Sequence, residues 1–330
     1  KLFKDELLDK FVKKNILIDR QVKFKISKNL GQEKNSSNFL VEIKSKKYIL
    51  KQINKKKIAK STLLSCINFL RWLNKNKIKV PNHIKFKNGA YFKFFDNKYW
   101  ILTSFAEGNH FYGHKKEFSN VIKEICRTSK IIKKYPNKKE LEKNYIKTSF
   151  LEHYFNLAKN KKIKDFIGIK NFNLLKKNQK KIDTTIQELK NIKISDKQLF
   201  PTHVDIHPLN IITKKNKLIS IIDYNSWKRS SQIECLAYAG FKLCRQVILK
   251  NKKKEIKKSL RKQFIKLVNK YYDPKVKLDK KFILICKKMI LIRIINILKL
   301  NIEQKDKSWN NFLPFMLLYL EEVEIIFNKN

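Results

Sequence analysis

Thr202-His203-Val204-Asp205-Ile206-His207-Pro208-Leu209-Asn210-Ile211-Ile212 runs through a turn of Lys214, Lys215, Asn216 and Lys217 into Leu218-Ile219-Ser220-Ile221-Ile222-Asp223. The stretch reads as a polar loop, a short apolar strand, a tight turn and a second apolar strand ending in an acid. Such a hairpin is expected to bring Asp205, Asn210 and Asp223 to one end. Phosphoryl transfer from a nucleotide needs that set. One acid orients an attacking hydroxyl and takes its proton, while an amide oxygen and a second carboxylate hold Mg²⁺.

Spacing separates this reading from its competitors. Asp, His and Asn in a loop ordinarily serve as turn and capping residues. Here Asn210 follows Asp205 by five residues, the interval of kinase catalytic loops, and His203 stands two residues ahead. A zinc site is the other sharp reading, since His203, Asp205 and His207 alternate and would face one way on a strand. Pro208 breaks such a strand, and no Cys or further His lies nearby to complete the sphere.

The segment resembles the aminoglycoside phosphotransferase and choline kinase superfamily, whose motif has the form His-x-Asp-x-x-x-x-Asn followed by Ile-Asp-aromatic. His203, Asp205, Asn210 and Ile222-Asp223-Tyr224 match it in order, and the layout also looks like the type II homoserine kinase branch. The resemblance implies an α+β, two-lobed, protein-kinase-like fold. A β-rich nucleotide-binding lobe would occupy residues 1–104, and a mainly helical catalytic and substrate-binding lobe residues 105–330. It implies ATP and Mg²⁺ as cofactors, Asp205 as the catalytic residue, and Asn210 and Asp223 as metal ligands. His203 is expected to brace the loop rather than react.

Bulk composition sets the frame. At 330 residues the chain suits two lobes, and 42% hydrophobic residues suffice for a proper core. The formal net charge of +49 first suggests nucleic acid or an anionic membrane. However, the basic residues are almost all Lys, scattered along every segment, with isolated Arg at positions such as Arg71, Arg127 and Arg245. Base readout and bidentate phosphate recognition favour clustered Arg. Lys, Asn, Ile and Phe are abundant together while Gly and Pro are scarce, as in a protein from an AT-rich genome. Cys66, Cys126, Cys235, Cys244 and Cys286 sit singly in apolar runs, which fits reduced thiols and a cytoplasmic protein. The longest apolar stretch, Phe282 to Leu300, carries Lys287, Lys288 and Arg293, so it reads as a core helix rather than a membrane span.

In chain order, helical spacing covers Leu2 to Ile18, and strand-like runs cover Val22 to Ser27, Phe39 to Ile43 and Lys47 to Ile53. The turn from Asn29 to Asn38, with Gly31, Ser36 and Ser37, is a candidate for draping backbone N–H groups over phosphates. Lys51 ends the third strand, where a kinase-like fold presents a Lys to the α/β-phosphates. A helix from Ile58 to Asn76 follows. It lacks the Glu that ordinarily pairs with that Lys, because no acid occurs between Lys51 and Asp96. Two more strands, Tyr91 to Phe95 and Tyr99 to Ser104, are expected to complete a five-stranded antiparallel sheet. Phe105-Ala106-Glu107-Gly108 then resembles the superfamily's adenine-contacting hinge.

Later helices are expected at Phe118 to Lys134, Lys139 to Ala158, Asn173 to Ile192, Ser231 to Lys250, Glu255 to Tyr271, Lys280 to Leu300 and Trp309 to Phe327. Glu234 stands near where the superfamily carries an acid bracing the catalytic loop. Asp223 is followed by neither Phe-Gly nor a later Ala-Pro-Glu, and Trp227 leads almost directly into a helix, which favours a small-molecule acceptor over a protein. Asn225, Trp227, Tyr238 and Arg245 are candidate pocket walls. Acids around Glu152, Glu321, Glu322 and Glu324 are candidates for receiving a cationic acceptor.

The expected activity is ATP-dependent phosphorylation of a hydroxyl on an amino acid, amino alcohol or sugar-type molecule. Lys51, Ser37, Glu107 and Asn210 would meet the nucleotide, and no nucleic-acid partner is expected. The alternative is a basic polyanion or nucleic-acid binder on a kinase-like scaffold, distinguishable by a steep loss of binding with salt.

Overall fold

A computed structural model describes residues 2–16, 24–27, 36–143, 148–159, 161–192, 198–223, 226–251 and 256–328. The chain divides into two compact units, residues 1–109 with 219–225, and residues 110–218 with 226–330. The first unit therefore takes in a short second segment from far along the chain.

The first unit is a sheet covered by a helix. Strands β1 (Phe24–Ser27), β2 (Ser36–Ile43), β3 (Lys46–Asn54), β4 (His83–Ile84), β5 (Lys93–Phe95) and β6 (Lys98–Ser104) run in the order β1-β2-β3-β6-β4, with β5 also paired to β6. Every pairing is antiparallel. The sheet has six strands where five were expected. The extra strand, β4, spans two residues, too short to show a period of two. Ser36, Ser37 and Asn38 open β2 instead of ending a loop, with Ser37 opposite Gln52 and Asn38 opposite Lys51.

Helix α1 (Leu2–Asn15) seats Leu8, Phe11 and Val12 on Val41, Leu50, Trp100 and Leu102. Phe11 stacks on Trp100 with ring centres 4.4 Å apart. Helix α2 (Lys60–Lys75) follows the third strand and buries Leu63, Cys66, Ile67, Leu70 and Leu73, a three-to-four spacing on one face. Two hairpin turns of this unit, Lys44-Ser45 and Asp96-Asn97, hold both central residues at positive φ, as a two-residue hairpin of right-handed twist demands. No glycine occupies them, so the strand pairing bears the cost of the left-handed conformation.

The second unit begins at His110, the second residue of β7 (Asn109–His110), and is mainly helical. Its elements are α3 (Lys115–Ile132), α4 (Thr148–Ala158), α5 (Ile163–Ile167), α6 (Ile169–Leu189), β8 (Leu199–His203), β9 (Ile211–Lys214), β10 (Lys217–Ile221), β11 (Trp227–Ser231), α7 (Gln232–Asn251), α8 (Ile256–Tyr271), α9 (Lys280–Gln304) and α10 (Leu313–Phe327). The last three residues of β10 belong to the first unit. Two expectations change. Of the helix expected from Lys139 to Ala158, the described residues show a single turn at Lys138–Glu140, a non-helical stretch at 141–143 and a helix over Thr148–Ala158. Residues 227–231, expected to lead into a helix, form β11, antiparallel to β8 with Trp227 opposite His203. Trp-Lys-Arg-Ser-Ser has no apolar alternation, so partner pairing rather than pattern makes it a strand.

The centre of this unit is α9, buried continuously from Phe282 to Ile292 and packed against α4, α6, α7 and α10. No helix among the described residues is long and apolar enough to cross a membrane. All five cysteines are buried and unbonded.

Candidate functional site

The loop between β8 and β9 is built from its own side chains. His203, at the end of β8, is buried edge-on against Trp227, with ring centres 5.3 Å apart. Its Nδ1 accepts the Asp205 N–H at 3.3 Å. Val204 N–H donates to Ser226 O at 2.8 Å. His207 Nδ1 accepts from Leu209 N–H at the start of a single 3₁₀ turn, Pro208–Asn210, whose first residue lacks the N–H that would otherwise be orphaned. Asn210 Nδ2 then reaches back to Asp205 O at 2.9 Å. The five-residue interval is thus the length of loop across which Asn210, the last residue of the turn, reaches back to Asp205.

Asp205 presents its carboxylate between a guanidinium and an imidazole. Oδ1 lies 2.9 Å from Arg293 Nη2, and Oδ2 lies 3.7 Å from His207 Nε2. The same Arg293 nitrogen donates to Val204 O. Burial holds the His207 imidazole below its ordinary pKa. Asp205 opposes that, and Lys242, His203 and Arg293 add to it. The zinc reading is not supported, because β8 ends at His203 and His203, Asp205 and His207 do not alternate along one strand. Among the described residues no group of three His, Cys, Asp or Glu is placed to hold a metal.

Lys51 lies in the first unit, on the central strand β3 between Asn38 of β2 and Ile101 of β6. Its neighbour Leu50 packs under α1, so the period of two turns Lys51 to the opposite face. There Lys51 Nζ meets Asp223 Oδ1 at 3.5 Å. Without a helix Glu, the acid comes from the segment 219–225, and α2 contributes none. Asp223 holds φ at +67°, a left-handed conformation rarely adopted outside glycine and kept where surrounding structure enforces it. Ser37 sits in β2, and Glu107 is exposed beyond β6. The phosphate-draping loop through residue 35, Gly31 included, and the pocket candidate Asn225 lie outside the described residues.

Solved structures share this architecture across nearly the whole chain. The amicoumacin kinase hAmiN, in complex with AMP-PNP, Ca²⁺ and Ami, matches with a TM-score of 0.66 at 13% identity, over 97% of this chain and 93% of that one. A microcompartment-associated aminopropanol kinase matches at 0.64 and 10% identity, over 97% and 95%. The spectinomycin phosphotransferase APH(9)-Ia, with ADP and spectinomycin, matches at 0.62 and 16% identity, over 98% and 97%. The fold is that of the aminoglycoside phosphotransferases. No family model and no curated protein sequence matches the chain. These likenesses do not distinguish a homoserine kinase-like branch within that fold.

Three features of this phosphotransferase fold escaped the sequence reading. Arg293 was noted only as a charge interrupting an apolar run, and its partner is 88 positions away. Glu117, at the start of α3, is buried with Oε2 accepting the N–H groups of Tyr112, Gly113 and His114, and Oε1 accepting the Thr213 hydroxyl at 2.5 Å. A Glu three residues into a helix start is a recognisable signal for such a cap. Glu234, which stands near where the superfamily carries a loop-bracing acid, has a partner the sequence did not reveal, Lys288 of α9 at 2.6 Å, with side chains 2% and 3% exposed.

Proposed function

We propose that the protein is an ATP-dependent small-molecule kinase, transferring the γ-phosphoryl group to a hydroxyl. The observation that carries this reading is the loop in which Asn210 closes onto Asp205 and leaves the Asp205 carboxylate partly exposed beside Arg293. The fold supports it, since the matched structures include an amicoumacin kinase, a spectinomycin phosphotransferase and an aminopropanol kinase.

Asp205 orients the acceptor hydroxyl and takes its proton as the acceptor oxygen bonds to phosphorus and ADP departs, which is worth on the order of 10²–10⁴ in rate. Lys51 steadies the phosphates, and backbone near Glu107 meets the base. Asn210 and Asp223 are assigned to Mg²⁺. Asn210 commits its amide nitrogen to Asp205 O, which leaves the amide oxygen for a cation. An amide oxygen and a carboxylate are hard donors of the kind Mg²⁺ takes alongside phosphate oxygens. Bound Mg²⁺ would neutralise charge on the phosphates. Five buried, unbonded cysteines fit a reducing compartment, and we assign the protein to the cytoplasm.

Asp205→Asn is the test. Turnover of an accepted hydroxyl compound should fall by at least about a hundredfold while nucleotide affinity stays within about twofold, because only proton acceptance and hydroxyl orientation are lost. Near-normal turnover in that variant removes Asp205 from the chemistry.

A further inference from the structure

Asp205 stands in a setting of opposite charge. On α7, Tyr238, Lys242 and Arg245 recur at intervals of four and three residues and so share one face. The Arg293 guanidinium lies over the Tyr238 ring at 5.1 Å while it holds Asp205 Oδ1. Its Nε is buried without a hydrogen-bond partner. Lys242 is half-buried, donates to Tyr319 Oη at 3.1 Å and covers the Tyr319 ring at 4.1 Å. It pairs with no carboxylate among the described residues. Lys242 and Arg293 both act on the His207 imidazole beside Asp205.

The acids that a cationic acceptor would need are committed elsewhere. Glu152 pairs with Lys190 at 2.7 Å, Glu321 with Lys181 at 2.8 Å, Glu322 with Arg245 at 2.6 Å and Glu324 with Lys287 at 2.5 Å. An ammonium group approaching Asp205 would face two half-buried cations and one carboxylate that is already engaged. Like charges so placed are costly, whereas anionic oxygens would supply the counter-charge that Lys242 lacks.

We propose that the acceptor carries a carboxylate or phosphate beside its hydroxyl, recognised by Lys242 and Arg293. This rests on the reading of Asp205 as the group that receives the hydroxyl proton. It sets the chain apart from an aminopropanol kinase of the same fold, whose named substrate carries an amine beside its hydroxyl.

The experiment uses the full-length protein with Mg-ATP and acceptor sets matched in carbon skeleton. One set is glycerate, glycerol 3-phosphate, glycerol and 1-amino-2-propanol; the other is gluconate, glucose and glucosamine. Phosphorylated product is read by ³¹P NMR. The anionic members should exceed the neutral and cationic ones in kcat/KM by at least about tenfold. The glycerate and glycerol 3-phosphate arms separate carboxylate from phosphate. Lys242→Glu should raise the KM for the anionic acceptor at least about tenfold with the KM for ATP within about twofold. Lys242→Met, which keeps the stem on Tyr319, should show a smaller effect in the same direction with an unchanged melting temperature. Preference for a cationic or neutral member overturns the charge assignment, and so does a preference that Lys242→Glu leaves unmoved, or a panel with no phosphorylated member. Loss of cationic-acceptor turnover in Asp205→Asn would do so while leaving the kinase reading intact. Failure of the protein to bind Mg-ATP would instead strike the kinase reading itself.

Discussion

Lys51 and Asp223 are ion-paired, Nζ to Oδ1 at 3.5 Å, although 172 residues separate them in the chain. The sequence alone predicts a Lys without a helix acid, loose in the empty protein unless an acid from elsewhere, such as Glu107 or Asp223, reaches it. The structure holds it against a carboxylate on the same unit. Removing one partner of a fully buried pair costs about 3–5 kcal/mol. Here Asp223 keeps 31% of its side-chain surface, and the separation is long, so screening reduces the expected loss to about 1 kcal/mol. Lys51→Met should therefore lower the apo melting temperature by about 2–4 °C and raise the KM for ATP. Unchanged apo melting would mean that the pair contributes nothing without nucleotide.

Glu117 gathers four hydrogen bonds on a buried carboxylate, three of them from consecutive backbone N–H groups. Gly113, one of those donors, holds φ at +105°, and a Cβ there would press on Gln246 O at 3.0 Å, so the backbone has little freedom to find other acceptors. Glu117→Gln keeps the volume but removes the charge and turns a donor toward donors. We expect a loss of about 2–3 kcal/mol, read from denaturant melts. A loss below about half a kcal/mol would show that water replaces the carboxylate.

His83 of β4 gives stability an acid limit. Both of its ring nitrogens are buried, and burial, with Arg71 adding to it, pushes its pKa from 6.5 down to about 4. The folded state thus binds the proton more weakly than the unfolded chain. The stabilising contribution is complete above pH 6.5 and is lost as the pH falls through about 4. Between pH 7 and pH 4.5 wild type should lose about 2 kcal/mol more than His83→Gln. Equal slopes in the two proteins would place the acid sensitivity at another group.

The parts of the molecule that were legible are those written in local periodicity. Helices α2, α7 and α9 and the hairpin of β9 and β10 follow from apolar spacing, and the loop holding Asp205 and Asn210 follows from a fixed interval. What was not legible depends on partners distant in sequence. Strand β11 exists because β8 lies beside it, and β4 because β6 does. The pairing of Lys51 with Asp223, and of Arg293 with Asp205, joins residues whose types are unremarkable in a Lys-rich chain. Glu234 was located by analogy, and its partner Lys288 was hidden inside an apolar run.

Helix α9 is apolar on nearly every side, so no stripe of polar residues tells it how to sit. Sliding it by one residue would turn it about 100° and shift it about 1.5 Å, while still offering Ile and Leu to every neighbour. Three charges along its buried middle, Lys287, Lys288 and Arg293, remove that degeneracy. Lys287 meets Glu324 of α10, Lys288 meets Glu234 of α7, and Arg293 meets Asp205 in the loop after β8. Only one rotational setting satisfies all three partners at once. The helix therefore works as an indexing pin: the ion pairs that hold it in the core also fix how far Arg293 reaches toward Asp205.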